Sequence, residues 1–195
     1  MDAEVLERGD ISVFFRPAVQ SADALVIELG VQSFFFVLSS ERGTHRRVRV
    51  GRKRMPNSGE RLWARVERVG SLNRALGDLM EDEVYSTKTR GERYQPAARA
   101  IGQGCYAFVR HGDHIHLAYR IEQFEPDAPD EVRPTEAASH VVLFEKVPRG
   151  RATWTTVGEP TMLDEEGAEL VLVGDEEEPE RELGIEVLPP ATAAG

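Results

Sequence analysis

The stretch CYAFVRHGDHIHLAYRIEQF, residues 105–124, limits the fold more than any other part of this chain. Two runs of strand-like alternation flank His111-Gly112-Asp113, and a glycine in so short a connection reads as the turn of an antiparallel hairpin. A hairpin alone is marginal in water, so further strands must pack beside it.

The sequence offers them. ISVFFRP (Ile11–Pro17) follows Gly9-Asp10, ends at a proline and reads as a strand. SFFFVLSS (Ser33–Ser40) is an apolar run too short for a helix, as expected of a strand buried on both faces. In HRRVRVGRKR, Val48 and Val50 alternate with Arg47 and Arg49, giving an apolar core face and a basic outer face. LWARVERVG (Leu62–Gly70) alternates as well, setting Leu62, Ala64 and Val66 against Trp63, Arg65 and Glu67. HVVLFEKVP (His140–Pro148) and AELVLVG (Ala168–Gly174) supply two more strands.

The period changes once, in SLNRALGDLMEDEV (Ser71–Val84). Leu72, Leu76, Leu79 and Met80 recur at helical spacing behind Ser71, a good N-cap residue. Glu81, Asp82 and Glu83 oppose the macrodipole at the C-terminal end, so the helix should be short. YSTKTRGERYQPAARAIGQG (85–104) shows no periodicity and reads as a long basic loop. The expected fold is α+β: mostly antiparallel β, a small barrel-like or strongly bent sheet with one clear helix. Residues 1–174 form one domain, followed by an acidic, then Pro/Ala-rich tail (175–195) expected to be disordered or loosely docked.

A chain of 195 residues with 41% hydrophobic content can build one real core. Its only cysteine, Cys105, excludes an internal disulfide and a cysteine-based zinc cluster, and reads as a small core residue. The acidic start MDAEVLERGD has no signal-peptide character, and no apolar run is long enough for a bilayer. A soluble, cytoplasmic protein without membrane contact is expected.

The net charge of -10 conceals segregation. Residues 42–110 carry sixteen Lys/Arg against seven Asp/Glu, a net +9, whereas residues 121–195 carry five against nineteen, a net -14. Such a split calls for an anionic partner at the middle segment, or for the acidic end to fold over it. Arg47, Arg49, Arg52, Lys53 and Arg54 are the candidate phosphate contacts, with Lys88, Arg90, Arg93 and Arg99 joining from the loop. Trp63, Tyr85, Tyr94 and Tyr106 border these cations, as base stacking requires.

Motifs for catalysis are sparse. The loop lacks P-loop spacing, Gly102-Gln103-Gly104 is no dinucleotide fingerprint, and no nucleophile elbow occurs. His114 and His116 share a strand face near His111, so these three are the candidate acid/base or metal-ligating groups. No metal and no cofactor is expected.

GRKRMP, TKTRGER with the following PAAR, YAFVRHG with HLAY, and EGAEL together resemble an uncharacterised family of bacterial proteins of about this length. ERGDISVFFRP is also similar to the opening strand of PUA-like domains of the EVE type, and HIHLAYRIEQF to a later barrel strand. That second resemblance implies a small β-barrel that binds RNA or modified bases.

The leading expectation is therefore a non-enzymatic module that binds RNA or DNA through its basic middle. Two other readings stay open. One is an enzyme acting on a small phosphorylated or carboxylated metabolite, with Lys88, Arg90 and Arg93 holding the anion and His114 or His116 as acid/base. The other is a protein-interaction or self-association module in which the acidic C-terminal region masks the basic surface.

Overall fold

The structure, a computed structural model, describes residues 2–21, 30–145, 154–156, 158–175 and 178–190. In chain order its elements are β1 (Glu4–Pro17), β2 (Gln20–Ser21), β3 (Val31–Ser40), β4 (His45–Val50), β5 (Arg61–Gly70), α1 (Leu72–Leu76), β6 (Glu83–Thr87), β7 (Gly91–Gln95) and β8 (Arg99–His111). They continue with β9 (His114–Phe124), β10 (Ala137–Glu145), β11 (Trp154–Thr156), β12 (Glu169–Gly174) and α2 (Pro179–Leu183).

Eight strands close into an antiparallel barrel in the order β10-β12-β5-β4-β3-β1-β8-β9, and β9 pairs back onto β10. Closure leaves the wall without a free edge, which is how a sheet of this size avoids edge-to-edge association. Strand β11 pairs with the far part of β10, and β2, β7 and β6 form a separate three-stranded ribbon.

Alternation sorts the wall into two faces. Ile11, Val13, Phe15, Phe34, Phe36, Leu38, Val48, Val50, Phe108 and Leu117 fill the interior. The outer face of β1 and β3 presents Phe14, Phe35 and Val37, and α1 covers them with the buried Ala75. Phe14 and Phe35 stack there with centroids 5.3 Å apart. Ser71 caps α1 by accepting from the Arg74 N–H at 3.2 Å, and a 3-10 turn (Gly77–Leu79) ends the helical stretch, so it is short as its acidic end predicts.

The long basic loop expected over 85–104 is instead two paired strands and the start of β8. Lys88, Thr89 and Arg90 make the turn between β6 and β7, and Gly91 closes it at φ +69°, a backbone state that only glycine adopts without strain. Thr87 Oγ1 accepts from the Arg90 N–H at 2.9 Å and fixes the turn. Gly104 lies within β8 at a bulge, where a Cβ would stand 1.8 Å from the Arg120 carbonyl oxygen. That glycine serves strand approach, not ligand binding.

Of the two states expected for the C-terminal segment, disordered or loosely docked, residues 178–190 take the docked one. Residues 178–190 carry α2 and pack onto the outer face of β8 and β9, burying Leu183 and Val187 against Cys105, Ala107, Val109 and Ala118. Cys105 Sγ donates to the Val187 carbonyl oxygen at 3.3 Å, and Arg120 pairs with Glu180. Two apolar anchors among many acids suffice to dock this stretch; residues 176–177 and 191–195 lie outside the described residues.

Candidate nucleic-acid interface

Register fixes which groups share an end of the barrel. Phe15 pairs with both Phe34 and Arg99, Phe34 pairs with Val50, and β2 pairs with β7. The Gly51–Arg54 connection, the start of β8 and the β6–β7 ribbon therefore belong to one end. Strands β3 and β1 separate β4 from β8 there, roughly 14 Å at the usual strand spacing. The two basic segments read from the sequence thus lie at the same end.

Their arginines divide into two populations. Arg47 is buried on the outer face beneath α1, where Nη1 donates to the Ala75 carbonyl oxygen at 3.1 Å and to Asp78 at 2.8 Å, and Nε lies 2.9 Å from Glu67. It is a structural staple and not the phosphate contact expected of it, because outward alternation there meets a helix and not water. Arg54 is half-buried and held by Glu60 at 2.6 and 2.8 Å, and the guanidinium holds the Glu60 carboxyl down at about 2. Arg93 is half-buried and donates to the Val19 carbonyl oxygen at 3.4 Å.

The remaining cations face solvent. Arg49 is exposed with one long contact to Glu67 at 3.4 Å, and Arg99 lies over the Phe15 ring at 5.8 Å. Arg52, Lys53, Lys88 and Arg90 are exposed and form no ion pair among the described residues. Two further cations belong with them. Arg61 and Arg65 project from β5 on either side of Trp63, and neither has an ion-pair partner among the described residues. Trp63 itself is 52% exposed, while Leu62 and Ala64 beside it are 4% exposed. The alternation LWARV carried this signal, with Trp63 and Arg65 on the outward positions.

Beside Trp63 the wall is dented by a depression of about 270 Å³, whose polar lining is Gln32, Ser33, Arg49, Lys53, Trp63, Arg65 and the carboxylate of Glu169, the residue paired with Arg65 across β12 and β5. Gly51 anchors the adjoining connection, donating its N–H to the Trp63 carbonyl oxygen at 2.6 Å. Across the barrel mouth, residues 125–136 act as a plug, with Ala128 and Val132 inserted into the core. The plug carries Glu125, Asp127, Asp130, Glu131 and Glu136 against Arg133, so the mouth is acidic where the β4–β5 wall is basic.

The histidines occupy the opposite end. Arg99 and His111 begin and end the thirteen-residue strand β8, up to roughly 40 Å apart at the usual rise. His111 and His116 rings stand 5.9 Å apart, His114 is exposed, and His116 is 4% exposed with Nδ1 3.3 Å from Asp175. Burial pushes the His116 pKa down despite Asp175. Among the described residues no three His, Cys, Asp or Glu side chains are grouped to hold a metal ion. The structure does not bring Lys88, Arg90 and Arg93 together with these histidines: the ribbon that carries them precedes the Arg99 end of β8, and the histidines lie at the other end of that strand.

At that histidine end lies a buried polar cluster that the sequence did not announce. Arg46 shares the inward face with Val48 and is fully buried, donating to Glu7 at 2.6 and 3.1 Å and to Asp164 at 2.5 Å. Glu7 also accepts from Arg42 at 2.7 Å and from the Tyr106 hydroxyl at 2.7 Å. Burial works against ionising Glu7, yet Arg46, Tyr106 and Arg42 outweigh it and hold the carboxyl below its ordinary value. The same burial and the Glu7 charge push the Tyr106 hydroxyl up. Asp164 ends the 3-10 turn Pro160–Asp164, so the cluster ties a plug to this end of the barrel.

The docked C-terminal segment covers β8 and β9, which stand diametrically across the barrel from β4 and β5 in the strand order. Residues 178–190 therefore do not mask the basic face of their own copy. No helix among the described residues is long and apolar enough to cross a membrane. In comparisons with known proteins, the chain matches no family model, no curated protein and no solved structure.

Proposed function

We propose that this protein is a cytoplasmic, non-enzymatic barrel that binds RNA or DNA along the outer wall of β4 and β5. One observation carries the reading. Arg46, Arg47, Arg54 and Arg110 are spent on ion pairs, whereas Lys53 and Arg65, which line the depression beside the exposed indole, and the neighbouring Arg52 and Arg61 form no ion pair among the described residues. Unpaired cations at strand spacing suit successive phosphates, and the aromatic ring suits a base. The ribbon cations Lys88 and Arg90, with Arg99, extend the same charge around that end of the barrel.

Binding to mixed-sequence oligonucleotides, followed by fluorescence anisotropy at rising salt, tests this. The proposal expects binding at low salt that weakens steeply as salt is added. Absence of binding at low salt overturns it.

A further inference from the structure

We infer that the outer edge of β6 pairs antiparallel with β6 of a second copy of this chain, joining two ribbons into one sheet about a two-fold axis at Tyr85. The inference does not rest on the nucleic-acid reading above. The barrel wall closes on itself, but the ribbon order β2-β7-β6 leaves β6 at an end. Among the described residues no strand and no backbone hydrogen bond reaches its outer edge. The other strands that end a sheet, β2 and β11, are only two and three residues long. An open edge is ordinarily blunted by lysine, proline or a bulge. EVYST (83–87) has no lysine or proline, pairs with β7 without a register shift, and exposes Val84 at 62% and Tyr85 at 38%.

Charge selects the occupant. Glu81, Asp82 and Glu83 stand at the start of β6, and Lys88 and Arg90 follow its end. An antiparallel copy sets each acidic end against the other's basic end, whereas a parallel copy sets acid beside acid. Centring the register on Tyr85 pairs all five residues of the strand and places Asp82 opposite Lys88. Asp82 already accepts from the Ala97 N–H at 2.8 Å, so it meets Lys88 as a held charge. On β7, Glu92 and Arg93 stand opposite Ser86 and Tyr85 and cancel, so they favour neither orientation. The two Tyr85 side chains then face each other as a cross-strand aromatic pair. Two-fold pairing uses up both edges, so association stops at the dimer. Five paired residues bury less than a permanent interface does, so the dimer is reversible. The pairing leaves Arg52, Lys53, Arg61 and Arg65 outside it.

Sedimentation velocity of the full chain at rising protein concentration reads the association directly. The expected result is a monomer–dimer equilibrium that added salt weakens. Tyr85→Glu sets two carboxylates opposite each other at the axis while facing Arg93 within its own ribbon, and it should raise the dimer dissociation constant about tenfold. Tyr85→Cys should oxidise to a covalent dimer, because the two positions meet at the axis. Thr89→Cys in the β6–β7 turn, roughly 26 Å from its copy at the usual strand rise, should not. A chain that stays monomeric at every concentration overturns a second copy as the occupant. So does a dimer that salt or Tyr85→Glu leaves unchanged, or one that cross-links equally through Thr89→Cys. Each of these outcomes leaves the oligonucleotide reading to its own test.

Discussion

Arg46 and Glu7 meet at 2.6 Å with side chains 0% and 1% exposed, a complete ion pair closed inside one end of a β-barrel. Such a pair need not add net stability, but removing one partner strands a charge in the core. Glu7→Leu should destabilise the fold by about 3–5 kcal/mol in urea unfolding, and adding Arg46→Met to it should recover part of that loss. Equal destabilisation by the single and double variants contradicts the pairing.

Arg47 and Arg65 differ in role although they alternate along neighbouring strands in the same basic segment. Arg47→Ala removes bonds to Ala75, Asp78 and Glu67 and should cost about 2 kcal/mol of stability. Arg65→Ala, on the exposed face, should leave stability within about 0.5 kcal/mol. Oligonucleotide binding should respond in the reverse order, with a smaller salt slope for Arg65→Ala alone.

His140 lies inside the barrel 5.6 Å from the Tyr119 ring, with no hydrogen-bond partner for either ring nitrogen among the described residues, and burial lowers its pKa to about 4. The unfolded chain then binds a proton that the fold refuses, so stability falls as pH drops from about 6.5 to about 4, by roughly 3 kcal/mol. Glu7, held low, adds a further loss only as pH falls below its unfolded value. His140→Phe should flatten the unfolding free energy between pH 6.5 and 4, measured by urea titration at each pH.

Deleting residues 178–195 uncovers Cys105, whose Sγ now contacts the Val187 carbonyl oxygen. The shortened chain should lose roughly 3 kcal/mol from the exposed Leu183 and Val187 sites. Its thiol should react with a disulfide reagent at least tenfold faster than in the full chain. Oligonucleotide affinity should hold, since this segment lies across the barrel from Trp63.

The barrel was legible in the chain wherever alternation was clean, as in Leu62–Val66, and wherever a glycine turn joined two runs, as at Gly112. What escaped had physical reasons. Residues 83–95 pair as a solvated ribbon, and strands exposed on most positions have no apolar period to betray them. Arg46 falls on the inward side beside Val48, a place from which a charge is ordinarily excluded. Only Glu7 and Asp164, 39 and 118 residues away in sequence, make it tolerable. Arg47 does face outward as the alternation implies, yet α1 covers that patch of wall and takes it out of solvent. The candidate face is half visible in the sequence: Trp63 and Arg65 show in the alternation, whereas the pairing of Arg54 by Glu60 depends on how the 51–60 connection folds back on itself.

The most direct test of the central claim is the slope of binding affinity against salt for a single-stranded oligonucleotide, measured on the wild type and on Arg61→Ala/Arg65→Ala. With about five phosphates neutralised, the wild-type slope of log K against log salt should be about -3.5, and the double variant should lose roughly 1.4 of it. An unchanged slope in the variant, or wild-type affinity indifferent to salt, contradicts the account.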